Sequence, residues 1–237
     1  MFRSLLNSVL NYLKYFKMNW FKQKSYPEFW KTYLNTFQRT EEQNLKDIRF
    51  VVFDTETTGL DTKNDRILSI GCVAIKDLKI KVSDQLELYL KQDKFNADTV
   101  KIHGLLKEGK LIKVEETEAI KLFLKYIENA VLVAHHAAFD VAMINAALSR
   151  LELPKLKNRV LDTGSIFKKT ELDKSKTHFG LDILSNLFKI PLHDRHTASG
   201  DAYITALLFL KLISKLNTNS KLNFKALKKP NNRIGLI

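Results

Sequence analysis

The period of the hydrophobic positions changes along this chain, and each change marks an element. Phe50-Val51-Val52-Phe53 is a continuous apolar run, the pattern of a strand buried on both faces. Residues 66–75 and 80–90 read as two further strands, the second with partial alternation, so the first three strands are expected to form an antiparallel meander. From Glu115 the period becomes helical: Ala119, Leu122, Phe123, Tyr126 and Ile127 share one side of a helix through Asn129, and acids enrich its first turn. Val131–Ala134 and Arg159–Asp162 are short apolar strands. A helix is expected after each, the first running through about Leu151 and stopped by Pro154. Gly180–Phe188 is helical in pattern, and a long last helix is predicted over Ala198–Leu216. Strands first in a meander, then alternating with helices, predict a three-layer α/β domain whose site lies outside the C-terminal ends of its strands.

The flanks read differently. Phe2, Leu5, Leu6, Val9, Leu10, Leu13, Phe16 and Trp20 follow helical spacing, with Arg3, Lys14 and Lys17 among them. Three readings of residues 2–21 compete: packing on the main domain, docking on a partner, or lying on a membrane surface. A second helix is expected over Glu28–Glu42, with Phe29, Trp30, Tyr33, Leu34 and Phe37 on one side. Residues 1–46 are read as an N-terminal helical extension, 47–216 as the main domain, and 217–237 as a basic C-terminal tail. Lys168–Lys176 is read as a charged loop.

Charge narrows the partners. The 237 residues carry a formal net charge of +13, which points to a polyanion, either nucleic acid or an anionic membrane surface. The single cysteine, Cys72, lies in an apolar run; it excludes an intramolecular disulfide and a cysteine-rich zinc site and is read as core. No secretory cleavage pattern and no uncharged span long enough for a bilayer are visible. A cytoplasmic location without stable membrane insertion is therefore expected.

The chemistry begins where the first strand ends. Asp54 and Glu56 are two residues apart, so they project from one face of the strand. Side-by-side burial of two like charges is costly unless a cation neutralises them, and hard oxygen ligands suit Mg²⁺ or Mn²⁺. Asp140 follows a short strand at the start of a helix. His196 and Asp201 flank the start of the last helix. Four acids and a histidine suit two-metal phosphodiester hydrolysis, in which the histidine takes a proton from water at neutral pH. A zinc site built from His135, His136, His193 and His196 is the weaker alternative, because no helical histidine motif is present and the carboxylates already account for the cluster. Asp162 reads either as a further ligand or as a cap for the next segment, and Asp182 as a cap or a solvent-facing acid.

Taken together, Asp54-Thr55-Glu56-Thr57-Thr58-Gly59-Leu60, His135-His136-Ala137-Ala138-Phe139-Asp140 and His196-Thr197-Ala198-Ser199-Gly200-Asp201-Ala202 resemble the three motifs of the DEDDh exonucleases, in order. Within that family the likeness is greatest to the proofreading (epsilon) subunits of bacterial DNA polymerase III. It covers about Phe50 to Ser214, and His103-Gly104-Leu105 and Gly180–Leu184 match secondary landmarks. The resemblance implies a ribonuclease H-like fold, with a mixed five-stranded sheet flanked by helices. It implies that Asp54, Glu56, Asp140 and Asp201 hold two Mg²⁺ or Mn²⁺ ions and that His196 is the general base. Thr57 and Leu60 would contact the 3′-terminal nucleotide, Leu60 as an apolar wedge, and His103 would lie near the terminal sugar or base. His136 stands where relatives often carry Asn; it either adds charge near the phosphate or replaces one polar contact with another. The implied activity is 3′–5′ hydrolysis of single-stranded or frayed DNA to nucleoside 5′-monophosphates, in replication or repair, with a DNA polymerase subunit as a partner. The rival readings are an exoribonuclease acting on RNA, of the ribonuclease T or oligoribonuclease type, and a nucleic-acid-binding protein that has lost catalysis.

Overall fold

In the computed structural model, residues 26–38, 44–94, 100, 104–105, 111–170, 172, 179–217 and 222–228 are described. The expected helix at 2–21, His103 and most of the 168–176 loop lie outside them. A central sheet is made of β1 (Phe50–Thr57), β2 (Ile67–Lys76), β3 (Lys79–Leu90), β4 (Lys113–Val114), β5 (Val131–Ala134) and β6 (Val160–Asp162), in the order β4-β3-β2-β1-β5-β6. β1, β2 and β3 form the antiparallel meander, while β5 and β6 continue parallel to β1. The sheet has six strands rather than the expected five. The added strand, Lys113-Val114, pairs parallel with Tyr89-Leu90 and is too short to carry a period.

The all-apolar start of β1 reflects burial on two faces. Val51 and Phe53 enter one core with α1 (Glu28–Asn35), α2 (Glu116–Ile127) and α3 (Ala138–Arg150). Phe50 and Val52 enter the other, with α4 (Thr163–Lys168), α5 (Leu181–Leu187), α6 (Ala198–Leu216) and α7 (Phe224–Lys228). Phe53 meets Phe123 on the first side, and Phe50 meets Phe209 of α6 on the second, at ring separations of 5.7 and 5.1 Å. The three layers match the expected α/β architecture. Among the described residues, no helix is long and apolar enough to cross a membrane.

Two flanking expectations change. The helix expected to reach Glu42 ends at Asn35, where the Thr36 hydroxyl donates back to Tyr33 O and a 3₁₀ turn follows to Gln38. Its aromatic side is core: Trp30 and Tyr33 are buried against α2. The Tyr33 hydroxyl donates to Asn158 Oδ1 at 2.7 Å and accepts from Lys157 N at 2.8 Å. Within the stretch read as a basic tail, α7 buries Phe224 and Leu227, and the Arg159 guanidinium lies 4.2 Å from the centre of the Phe224 ring.

Candidate active site

The alternation of β1 sorts the site residues before any helix is added. Phe50, Val52, Asp54 and Glu56 share the face turned toward α6; Val51, Phe53 and Thr55 share the face turned toward α3. Asp201, in the first turn of α6, therefore meets Asp54 and Glu56, and one carboxylate oxygen from each lies within 4.8 Å of the others.

Two glycines permit this approach. Gly71 of β2 stands opposite Asp54 in the ladder. A Cβ there would lie 2.2 Å from Ala198 C and from Ser199 N, so only glycine lets the start of α6 rest on the sheet. Gly200 serves the preceding turn, since its Cβ would lie 2.1 Å from Asp194 O. That turn contains Asp194 and His196 at positive φ, and Thr197 caps α6 by accepting from Gly200 N at 3.1 Å. His196 is thereby held at the mouth of the helix with its ring exposed.

The acids are proton-hungry as they stand. Burial, reinforced by repulsion from Asp140, Asp201 and Glu56, holds the Asp54 carboxyl far above its usual range. Burial, then the nearby Asp201, pushes Glu56 up to about 8. Asp201 is raised as well, chiefly by burial, and its Oδ1 is buried without a hydrogen-bond partner. Three crowded, desolvated, hard oxygen donors with an unsatisfied lone pair are the setting in which a divalent cation binds. The residues therefore fit such an ion.

One cation of the protein itself is already present. Arg195 reaches from the turn to donate through Nη1 to Asp201 Oδ2 and through Nε to Asp182 Oδ1 at 2.7 Å. Its Nη1 also lies 3.3 Å from His196 Nδ1. A guanidinium can only donate, so Nδ1 accepts there and the neutral ring carries its proton on Nε2. Arg195 lowers the cost of both Asp54 and Glu56. The bond from Arg195 also holds Asp182 below the usual carboxylate range.

Asp140 is placed differently. It comes from the far side of the sheet, and its Oδ1 accepts from Thr55 N at 3.0 Å and Thr55 Oγ1 at 2.7 Å. Burial outweighs those bonds and raises it to about 7, and its charge reaches Asp54, but it does not join the three-oxygen cluster. Asp162 also stays outside. It caps α4 by accepting from Ser165 N at 2.7 Å and takes Ala137 N at 2.9 Å, so it braces the second motif. Burial works against its charge, but these bonds together lower its pKa.

His135 is half-buried between Thr163 Oγ1 and Phe179 O, each at 2.8 Å, and burial pushes it down to about 4. It is a neutral structural bridge between the second motif and α5. His136, at φ 60°, lies with its ring centre 4.2 Å from that of His135. Thr57 turns its hydroxyl to Gly59 O at 2.8 Å, while Leu60, four residues past Glu56, is 83% exposed.

Sequence reading missed Arg195 and Gly71 and gave Thr55 no role. A glycine inside an apolar strand is a signal for close backbone approach and marked Gly71. For Arg195 the only signal was a cation adjoining His196.

A family model described as an exonuclease (RNase T) matches residues 51–209. The PolC-type DNA polymerase III of Caldanaerobacter subterraneus subsp. tengcongensis is 38% identical over 172 residues, which are 70% of this chain and 12% of that protein. The chain thus spans about one-eighth of the length of that relative. Among solved structures, E. coli exonuclease I in complex with a dT13 oligonucleotide superposes with a TM-score of 0.62 at 15% identity, covering 71% of this chain and 42% of that one. Exonuclease X in complex with 5′ overhanging duplex DNA gives 0.55 at 22% identity, covering 70% and 91%. At these identities the structures show a shared fold. With the exonuclease model covering all three motifs, the chain belongs to the DEDDh 3′–5′ exonuclease family.

Proposed function

We propose that this chain removes nucleotides from the 3′ end of single-stranded or frayed DNA as 5′-monophosphates, with Mg²⁺ or Mn²⁺, in company with a DNA polymerase. The observation that carries the reading is the cluster of Asp54, Glu56 and Asp201 oxygens at the C-terminal end of β1. Those three residues are the proposed holders of the ions, with Asp140, braced by Thr55, as the fourth. Bound ions would supply positive charge to the scissile phosphate and acidify water, the chemistry of two-metal hydrolases.

The chain's own residues do the rest. His196, exposed on its turn, takes the proton from the attacking water on its imidazole once Arg195 no longer holds Nδ1. Leu60 offers an apolar rim on which the terminal base rests. Thr57, His103 and His136 are the proposed contacts to the terminal nucleotide. The polymerase association and a proofreading or repair role rest on the likeness to PolC-type polymerases.

The test uses single-stranded DNA and RNA, each labelled at the 5′ end, with Mg²⁺. A ladder shortening from a free 3′ hydroxyl on DNA is the expected result, with loss of cleavage in Asp54→Ala and in chelator. His196→Ala should slow turnover by about 10²–10⁴-fold while Mn²⁺ affinity, measured by calorimetry, is kept. Undiminished cleavage by Asp54→Ala would sink the site assignment; preference for RNA would transfer the reading to an exoribonuclease.

A further inference from the structure

The helix that delivers Asp201 also leads away from the site. α6 carries Asp201 in its first turn, and its Phe209 meets Phe50, the first residue of β1, so it crosses the sheet to the end opposite the acids. The residues matched by the exonuclease family model end at Phe209. Lys211 and Lys215 come next on α6, four residues apart and both exposed. The helical rise places them about 15 and 21 Å along the axis from Asp201.

α7 is fastened to that same end. Phe224 and Leu227 are buried in the core that holds the last turns of α6. The Arg159 guanidinium lies 4.2 Å from the Phe224 ring centre, and Lys169 Nζ donates to Ala226 O at 2.9 Å. Leu222 N donates to Asn217 Oδ1 at 3.2 Å, which ties the approach to α7 to the end of α6. Arg159 and Lys169 thus serve as anchors, while Lys225 and Lys228, three residues apart, face solvent. From Ala202 to the end of the sequence there is no Asp or Glu. Acids of neighbouring elements have cations of their own: Asp77 lies 4.0 Å from Lys79 Nζ, and Asp84 is held by Arg49 at 3.2 Å.

We propose that Lys211, Lys215, Lys225 and Lys228 form a second nucleic-acid surface, which holds the phosphate backbone at the end of the domain away from the acids. Clustered lysines without acids attract a polyanion. Membrane docking calls for apolar side chains beside the lysines, and α7 turns both of its large ones, Phe224 and Leu227, into the core. The lysines position the backbone and read no sequence. The inference rests on the exonuclease reading for the identity of the polyanion, and it adds a contact made by residues beyond the family match.

The experiment compares the full chain with its Lys211→Gln/Lys215→Gln/Lys225→Gln/Lys228→Gln variant, after circular dichroism and thermal melting have shown both to be folded. If the fourfold variant does not fold, the pairs Lys211→Gln/Lys215→Gln and Lys225→Gln/Lys228→Gln carry the same test. Binding of a long 5′-labelled oligothymidylate is titrated over a range of salt in chelator, and kcat/KM is measured with Mg²⁺ on the long strand and on a dinucleotide. The expected result is about tenfold or more loss of long-strand affinity, with the slope of log K against log salt smaller by about 1.4–2.8, two to four single-strand phosphate contacts. The kcat/KM for the long strand should fall with it, while that for the dinucleotide, which does not reach the patch from the acids, stays unchanged. An unchanged slope overturns the surface, as does an equal fall on the dinucleotide. Binding to phosphatidylserine vesicles that the variant loses while its DNA slope is unchanged would assign the lysines to a membrane and also overturn it. Failure of the wild-type protein to cleave either substrate would refute the exonuclease reading, whereas the salt slope, read in chelator, still decides the surface.

Discussion

Gly71→Ala tests whether the approach of α6 to the sheet builds the site. The added Cβ would meet Ala198 C and Ser199 N at 2.2 Å and Ala198 O at 2.3 Å. These are backbone atoms in the first turn of a 19-residue helix, so no side chain can rotate away. Ordinary contact begins at 3.4 Å, so the helix start and the strand must separate by about 1 Å. Asp201 lies three residues past Ala198 on the displaced turn, whereas Asp54 and Glu56 stay with β1. The 4.8 Å grouping of their oxygens then opens.

Overpacking of this kind costs about 1–3 kcal/mol, and each kcal/mol lowers the melting temperature by about 2–4 °C in a domain of this size. A displacement of about 1 Å at a catalytic centre costs about 10²-fold in rate. The assay is single-turnover cleavage of a 5′-labelled oligonucleotide beside differential scanning calorimetry and Mn²⁺ titration. The expected variant is folded, melts a few degrees lower, binds Mn²⁺ less tightly and turns over about a hundredfold more slowly. Wild-type rate and metal affinity in a folded Gly71→Ala protein would refute the claim that this contact places Asp201.

Other expectations follow from the same geometry. Burial raises Glu56 from its ordinary 4.5 to about 8, so the folded metal-free protein keeps a proton that the unfolded chain has released. Stability in chelator is thus fully present below about pH 4.5 and is lost as pH rises through about 8, on the order of 5 kcal/mol from this residue. Urea midpoints across that range should fall, and a flat or rising profile would contradict the assigned burial of the acids. Arg195→Gln should weaken the metal-free fold yet tighten Mn²⁺ binding, because a competing cation is gone; calorimetry showing unchanged or weaker binding would disprove the competition. Tyr33→Phe strips partners from Asn158 Oδ1 and Lys157 N and should cost about 1–3 kcal/mol. Unchanged denaturant stability would mean that residues 26–38 are not part of the core.

How much of this was legible in the sequence depended on whether a feature is local. The apolar run of β1 and the two-residue spacing of Asp54 and Glu56 fix which face the acids share, and α6 spans the expected Ala198–Leu216 because its period is long and uninterrupted. Asp140 was recognisable as an acid at a helix start. That its helix covers the opposite face of the sheet, so that Thr55 takes one of its oxygens, depends on how β5 orders beside β1. Gly71 was visible as a glycine, but its meaning needs the helix that lands on it. Trp30 and Tyr33 were visible as one side of a helix, but what that side packs against depends on residues far away, such as Asn158, 125 residues on, which bonds the Tyr33 hydroxyl. Two-residue β4 and five-residue α7 are too short for any period to emerge.

Arg195 links the site's charge to its hydrogen bonding at His196. The cluster of Asp54, Glu56 and Asp201 is unfavourable without positive charge, and the guanidinium supplies it through Asp201. The same group stands at His196 Nδ1, which leaves the neutral ring with its proton on Nε2 and no open nitrogen for water's proton. On the proposed reading a divalent ion and the guanidinium would both draw on the Asp201 carboxylate, whose Oδ1 has no hydrogen-bond partner and whose Oδ2 holds Arg195 Nη1. Arg195 is also bonded to Asp182, an acid 13 residues away that anchors it to α5. Its departure from Asp201 would therefore free His196 Nδ1 while the Asp182 bond still braces the turn. On the proposed reading, the charge that stabilises the acids while no ion is bound would also withhold His196 as a base, and proton-accepting capacity would appear when a cation draws the guanidinium off Asp201.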